Sequence, residues 1–139
     1  MTFDRQAGAG PAQIDLQSIP SPAEGNIGVV EFDRHVPFII RRIFYFYDVP
    51  STTVRGGHAH RAQQQFMICL AGQVTVMTEH ASIKAEHILD RPLTGLYLPP
   101  ITWVELRFDE EDSIATVLTC SAYDEADYIR DYKEFLAAQ

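Results

Sequence analysis

From Ile27 onward the chain is a series of short apolar runs separated by turn residues. The runs are IGVVEF from Ile27, FIIRRIFYFYDV from Phe38, Gln65 to Leu70, Gln73 to Thr78, Ile83 to Leu89, Thr94 to Leu98, Trp103 to Phe108 and Ser113 to Cys120. Most are of strand length and rich in β-branched and aromatic residues, which fit a pleated, half-buried surface. Ala71-Gly72 separates two of them and predicts a hairpin. Pro99 and Pro100 cannot donate to a central ladder, so they mark a turn. Short strands at this spacing predict a sandwich or barrel. The end of the chain changes period. Tyr128, Ile129, Tyr132, Phe135 and Leu136 fall at spacings that fit one face of a helix. Asp124 stands where it can cap the start, and the acids nearby suit the positive end of the helix dipole. The expected architecture is an all-β barrel with a C-terminal α-helix packed on it. Residues 1–12 are rich in Gly and Ala and lack periodicity, which predicts a flexible N-terminal tail. Residues 18–25 read as a loop from Pro20, Pro22 and Gly25. Residues 13–139 then form a single domain, as a length of 139 residues suggests.

Composition narrows the function. The chain is 46% hydrophobic and 22% charged, enough for one sizeable core in a soluble domain. No run approaches the roughly 18 apolar residues of a membrane span, and Met1 to Gly10 has no apolar stretch of a secretory signal. Cys69 and Cys120 both sit in apolar runs, the setting of buried thiols, and predict a reducing cytoplasm. A formal net charge of −8 argues against nucleic acid as a partner. An anionic substrate would need a local basic pocket working against that field. Arg41, Arg42, Arg55 and Arg61 are the candidates, with solvated strand-face charges as the alternative for any one of them.

The strongest local signal is Arg55-Gly56-Gly57-His58-Ala59-His60. Two histidines at i and i+2 on a strand point to the same face. The two glycines permit unusual backbone angles or a close approach to a ligand. With Gln64, Gln65 and Gly72 following, the segment has the outline of the first cupin motif, in which two His and a Glu bind a metal inside a β-barrel. Here Gln64 or Gln65 holds the position of the Glu, and an amide is a weak ligand for transition metals. The second-motif segment, Leu98 to Glu105, contains no His. An open catalytic zinc site uses three protein ligands, so the expectation is a site without metal, with Glu105 as the one third ligand on offer. Without a metal, two inward imidazoles suit general acid–base work, because they titrate near neutral pH. The alternative is a pair of core histidines without chemistry. His35, His80 and His87 stand in more polar stretches and receive no role.

At these residues the sequence resembles the cupin sugar 3,4-ketoisomerases that act on dTDP-4-keto-6-deoxyglucose, and the related isomerase domain fused to some acyltransferases. The similarity runs from about Gly25 to Phe135. It is carried by Pro37-Phe38, the Arg42 strand ending in Asp48, the RGGHAH block, Gln65, Cys69-Leu70, Gly72, Gly95-Leu96-Tyr97, Trp103 and the block from Tyr123 to Arg130. The resemblance implies a cupin jelly roll, a homodimer, no metal and no cofactor. It implies that His58 and His60 are catalytic and that Arg42, Arg55 and Gln65 share their pocket. Tyr45 and Tyr97 are candidates to hold the sugar, and Glu24 occupies a position that lines the family's pocket. The family commonly has Arg or an aromatic where Glu24 stands, and often His or Arg where Val104 stands. The implied reaction moves a carbonyl from C4 to C3 of a nucleotide-linked 4-keto-6-deoxy sugar through an enediolate, in a pathway to 3-amino-3,6-dideoxy sugars. Two rivals remain at this level: a metal-dependent cupin enzyme, and a non-catalytic sugar-nucleotide-binding module.

Overall fold

A computed structural model describes residues 10–139. Among them the strands are β1 (Ala12–Asp15), β2 (Gln17–Ile19), β3 (Ile27–Val29), β4 (Arg42–Phe46), β5 (Val54–His60) and β6 (Gln65–Ala71). They continue with β7 (Val74–His80), β8 (Ile83–Leu89), β9 (Thr94–Leu98), β10 (Trp103–Phe108), β11 (Ile114–Thr119) and β12 (Tyr128–Ile129). A 3₁₀ turn spans Glu125–Asp127 and the helix α1 spans Tyr132–Ala138. Two five-stranded sheets result, ordered β1-β9-β6-β11-β4 and β12-β5-β10-β7-β8, with β2 and β3 paired apart from both. Within both sheets every pairing is antiparallel.

Alternation along each strand decides what meets in the middle. Met67 and Cys69 of β6, Leu96 and Leu98 of β9 and Val117 of β11 face Val76 of β7 and Val104, Leu106 and Phe108 of β10 in one buried cluster. This is the jelly-roll core that the strand pattern predicts. The opposite face of β6 is also buried: Phe66 and Ile68 join Val36, Phe38 and Leu118, with Ile14 and Leu16 from the N-terminal segment packed over them. The outer face of β5 is covered from the other end of the chain, where Ala59, Ile129 and Phe135 pack with Ile101 and Trp103. Cys69 and Cys120 are free thiols.

Two expectations change. The tail expected over residues 1–12 lies outside the described residues as far as residue 9, but Ala12 already pairs with Tyr97 in β1. The helical period from Tyr128 is interrupted. Asp124 caps the 3₁₀ turn, its side chain accepting from the Ala126 amide at 3.0 Å. Tyr128 and Ile129 then extend as β12 against His60 and Ala59. The helix proper starts later, with Asp131 as its cap, accepting from the Lys133 amide at 2.8 Å. The cause is tertiary. Pairing with β5 satisfies backbone groups on that strand's outer edge and buries Ile129 completely, which a continuous helix would not do.

Candidate active site

The site begins with a defect in β5. The register with β10 passes from Val104↔His58 to Glu105↔Gly56, so Gly57 is an extra, unpaired residue. Gly56 has φ 93° and Gly57 φ 80°. A Cβ on Gly56 would lie 2.7 Å from the Val104 carbonyl oxygen. Only glycine permits this crossing. Beyond the bulge, Ala59 points outward beneath Phe135, so His58 and His60 both point inward. Their rings stand edge-on, with centroids 5.3 Å apart. The Tyr128 ring lies 5.0 Å from His58 and 4.4 Å from His60.

The two imidazoles have unlike surroundings. His60 is buried, and its Nδ1 lies 3.1 Å from Oδ2 of Asp127. That carboxylate also accepts from the Ala62 amide at 2.8 Å and the Gln63 amide at 3.1 Å. On the other side of the ring, Gln65 Nε2 lies 3.4 Å from His60 Nε2. Burial lowers the His60 pKa, Asp127 opposes that shift, and the Arg42 and Arg130 charges add to it. Among the described residues no carboxylate bonds the His58 ring. Burial, then the charges of His60 and Arg130, push it down to about 4 against the weaker pull of Glu125.

His58 opens on a cavity of about 330 Å³ whose wall also includes Arg55, Gln65, Val104, Tyr128 and Arg130 but not His60. Arg55 stacks over Phe46 at 5.2 Å. Arg42 lies on the inward face of β4, stacked on Phe44 at 5.0 Å and Tyr123 at 5.6 Å. Its Nε and Nη2 are buried and find no acceptor among the described residues. A buried guanidinium with idle donors is costly unless an anion or carbonyl takes them up. At the rim, Arg130 pairs with Glu125 at 2.7 Å and stacks on Tyr128 at 4.3 Å.

Three sequence candidates fall elsewhere. Tyr45 alternates with Arg42, Phe44 and Phe46 in the sense that puts it outside, and is 61% exposed. Tyr97 lies on the outer side of its sheet against Phe66, and its hydroxyl donates to Gln64 at 2.7 Å. Glu24 sits in an exposed turn where its amide donates to Ser21. None of the three lines the His58 cavity in this chain. Glu105 also faces away. It lines a separate groove with Trp103 and Tyr132 on the outer face of the second sheet, which removes it as a third ligand for a metal held by His58. Among the described residues no three His, Cys, Asp or Glu side chains converge into a metal-sized cluster. Tyr128, Asp127 and Arg130 are site residues that sequence reasoning did not single out. The signal was present in the block from Tyr123 to Arg130, but a helical reading turned those side chains to the wrong surface.

Residues 10–139 match the family described as FdtA: WxcM-like, C-terminal. A TDP-4-oxo-6-deoxy-alpha-D-glucose-3,4-oxoisomerase from Aneurinibacillus thermoaerophilus is 36% identical over 113 residues, which is 81% of each chain. The sugar 3,4-ketoisomerase QdtA from Thermoanaerobacterium thermosaccharolyticum, solved with TDP, superposes with a TM-score of 0.87 at 31% identity, covering 92% of this chain and 93% of that one. The TDP-quinovose 3,4-ketoisomerase WlaRB from Campylobacter jejuni gives 0.86 at 31% identity, covering 91% of this chain and 97% of its own. A 4-keto-6-deoxy sugar epimerase at 18% identity and a TM-score of 0.73 shares the fold alone. The bulged strand with its inward histidine pair is thus carried on the fold of these isomerases, and the chain belongs to the FdtA family of sugar 3,4-ketoisomerases.

Proposed function

We propose that this isomerase converts a TDP-linked 4-keto-6-deoxy sugar to its 3-keto isomer through an enediolate, with His58 and His60 conducting the proton transfers. The C4 ketone acidifies the C3 hydrogen. A base takes that hydrogen and the electron pair becomes the C3=C4 bond, with negative charge on O4. The hydroxyl hydrogen on O3 passes to O4, a proton is delivered to C4, and the carbonyl is left at C3. Nothing is oxidised or reduced overall, so no redox partner is consumed. The observation that carries the reading is His58, with His60 beside it on the same face of β5, on the wall of a cavity that also holds Arg55 and Gln65. His58 lines the cavity and His60 stands beside it with a carboxylate behind it, so the pair supplies acid and base. His58, neutral near pH 7, has one N–H and one lone pair, the combination needed to pass the hydroxyl hydrogen from O3 to O4. The idle donors of Arg42 suit the developing oxyanion. Arg55 at the exposed rim suits the diphosphate.

The test is incubation with dTDP-4-keto-6-deoxyglucose deuterated at C3, followed by NMR. The expected result is loss of the C3–deuterium bond with appearance of the 3-ketone. Substrate recovered unchanged, with its label, would leave a binding protein and refute the reaction.

The same reading takes the protein as a homodimer. Support comes from Ile19 and Ile27, 45% and 58% exposed on the β2–β3 hairpin that joins neither sheet. Two-stranded ribbons of this size are marginal alone. Light scattering at twice the chain mass is the expected outcome. Among the described residues no helix is long and apolar enough to cross a membrane. The free thiols support a reducing cytoplasm as its location.

A further inference from the structure

The cavity beside His58 changes character over one step along its strands. In the first sheet Arg42 and Gln65 stand in one row across β11, both opposite Thr119. The next inward row, two residues and about 7 Å further along, is Phe44, Val117 and Met67. In the second sheet His58 pairs with Val104, and Arg55 with Leu106. The polar end of the cavity is therefore His58 and Gln65, with Arg42 in the row of Gln65. Its back wall is Met67, Val104, Leu106 and Val117, all buried in the central cluster. That wall has little to offer a hydroxyl. Met67, Leu106 and Val117 lie on strands paired on both sides, so their peptide groups are spent in the ladders. The Met67 thioether is only a weak acceptor. Arg55 and Arg130, the two guanidiniums on the cavity wall, are exposed and mark the mouth.

We infer that this wall, with Val104 beside His58, determines specificity at C6 of the sugar: it seats the methyl group of a 6-deoxy sugar and turns away one that carries oxygen there. The inference rests on the ketoisomerase reading for the orientation of the ring. A diphosphate on C1 belongs at the two arginines of the mouth, and C3 and C4 must reach His58. The groups on C2 and C5 then project from opposite sides of the ring. One is a hydroxyl and the other, in a 6-deoxy sugar, a methyl. Turned to the wall, the methyl is buried against four apolar side chains. A hydroxyl in its place would lose its water and gain no partner. So the methyl points to the central strands and the C2 hydroxyl to the open side. C5 is bonded to C4, and Val104 stands cross-strand from His58, so Val104 is the wall residue placed for the group on C5. Leu106, Met67 and Val117 complete the surface behind it.

Calorimetry on the full chain with TDP-6-deoxyglucose and TDP-glucose tests it. The two ligands differ only in the C6 hydroxyl, and neither has a ketone to isomerise. TDP-6-deoxyglucose should bind about 10–10²-fold more tightly, the range in which an apolar pocket rejects an added hydroxyl. Equal affinities overturn the inference, and this comparison needs no variant. In Val104→Thr, which keeps the branched shape and supplies a hydroxyl, the preference should shrink by roughly 3–10-fold, because TDP-glucose gains a hydrogen-bond partner. Val117→Thr makes the same change on β11 and replaces it should Val104→Thr lose the parent's circular dichroism. A preference that keeps its parent value in a folded variant of each position overturns the assignment to this wall. Turnover of dTDP-4-keto-6-deoxyglucose is followed in parallel. A chain that isomerises nothing yet keeps its preference at C6 refutes the reaction and leaves the wall's role standing, whereas turnover without any preference refutes the wall alone.

Discussion

Phe135 is the point where the end of the chain is fastened to the site, and Phe135→Ala should release it. α1 has seven residues, far below the length at which a helix is stable alone in water. Its stability is borrowed from packing, and Phe135 is its one buried residue. The ring is fully buried against Ala59 and Ile129, with Trp103 5.6 Å away at the centroids. Truncation of a buried Phe costs about 3–5 kcal/mol, the lower end applying where the surroundings can collapse. A terminal helix can shift toward the hole, so about 3 kcal/mol is expected. For a chain of this size that lowers Tm by roughly 10 °C. The effect should reach turnover too. Ile129 shares the cluster, and β12, only two residues long, brings Tyr128 beside His60. Thermal unfolding followed by circular dichroism, with turnover measured well below the transition, tests both parts. A variant that melts within about 2 °C of the parent would show that α1 is not coupled to the core. One that melts early but keeps full turnover at low temperature would show that the helix does not hold β12 in place. A chain ended after Arg130 asks the same question without removing Asp127 or Tyr128.

Arg55→Ala should raise KM more than it lowers kcat, because a rim guanidinium on the diphosphate contributes equally to ground and transition states; steady-state kinetics with an equal fall in kcat and kcat/KM would refute that placement. Acidification should cost stability between about pH 6.5 and 4, because His58 stays neutral in the fold down to about 4 while the unfolded chain takes up the proton at the ordinary imidazole value. Burial lowers His60 in the same direction, so the slope of Tm against pH should flatten, but not vanish, in His58→Asn; an unchanged slope would refute the assignment. Prolonged dialysis against a chelator should leave turnover unchanged, since Gln65 stands beside the histidines and Glu105 faces the other side of the sheet. Activity lost and then restored by a single divalent ion would refute this.

Much of this fold was legible because its strands carry their own period. Ile83–Leu89, Thr94–Leu98 and Trp103–Phe108 are read to the residue from alternation and their bounding turns. His58 and His60 were legible for the same reason, as i and i+2 on a strand share a face whatever lies opposite. The N-terminal strands were not. β1 and β2 are short and half polar, and they hold only because Ile14 and Leu16 find the outer face of β6 and β9 waiting for them. Period also could not say which face is which. Tyr45 and Phe44 are both aromatic residues of one strand, yet only the residues in phase with Arg42 reach the interior.

Asp127 and Tyr128 mark a harder limit. Asp127 stands 67 residues from its imidazole partner, and no local rule links the two positions. Their segment has helical spacing, acidic residues at its start and a good cap, so every local signal favours continuing α1 backward to Asp124. What overrules those signals is the open edge of β5, a strand already bent by its Gly57 bulge. Two residues of pairing there place Tyr128 against both histidines and end the 3₁₀ turn with Asp127 beneath His60. The histidines can thus be found from the sequence, but the difference between them cannot. It arises when the last strand closes the sheet, and with it comes the carboxylate that stands against His60 and not against His58.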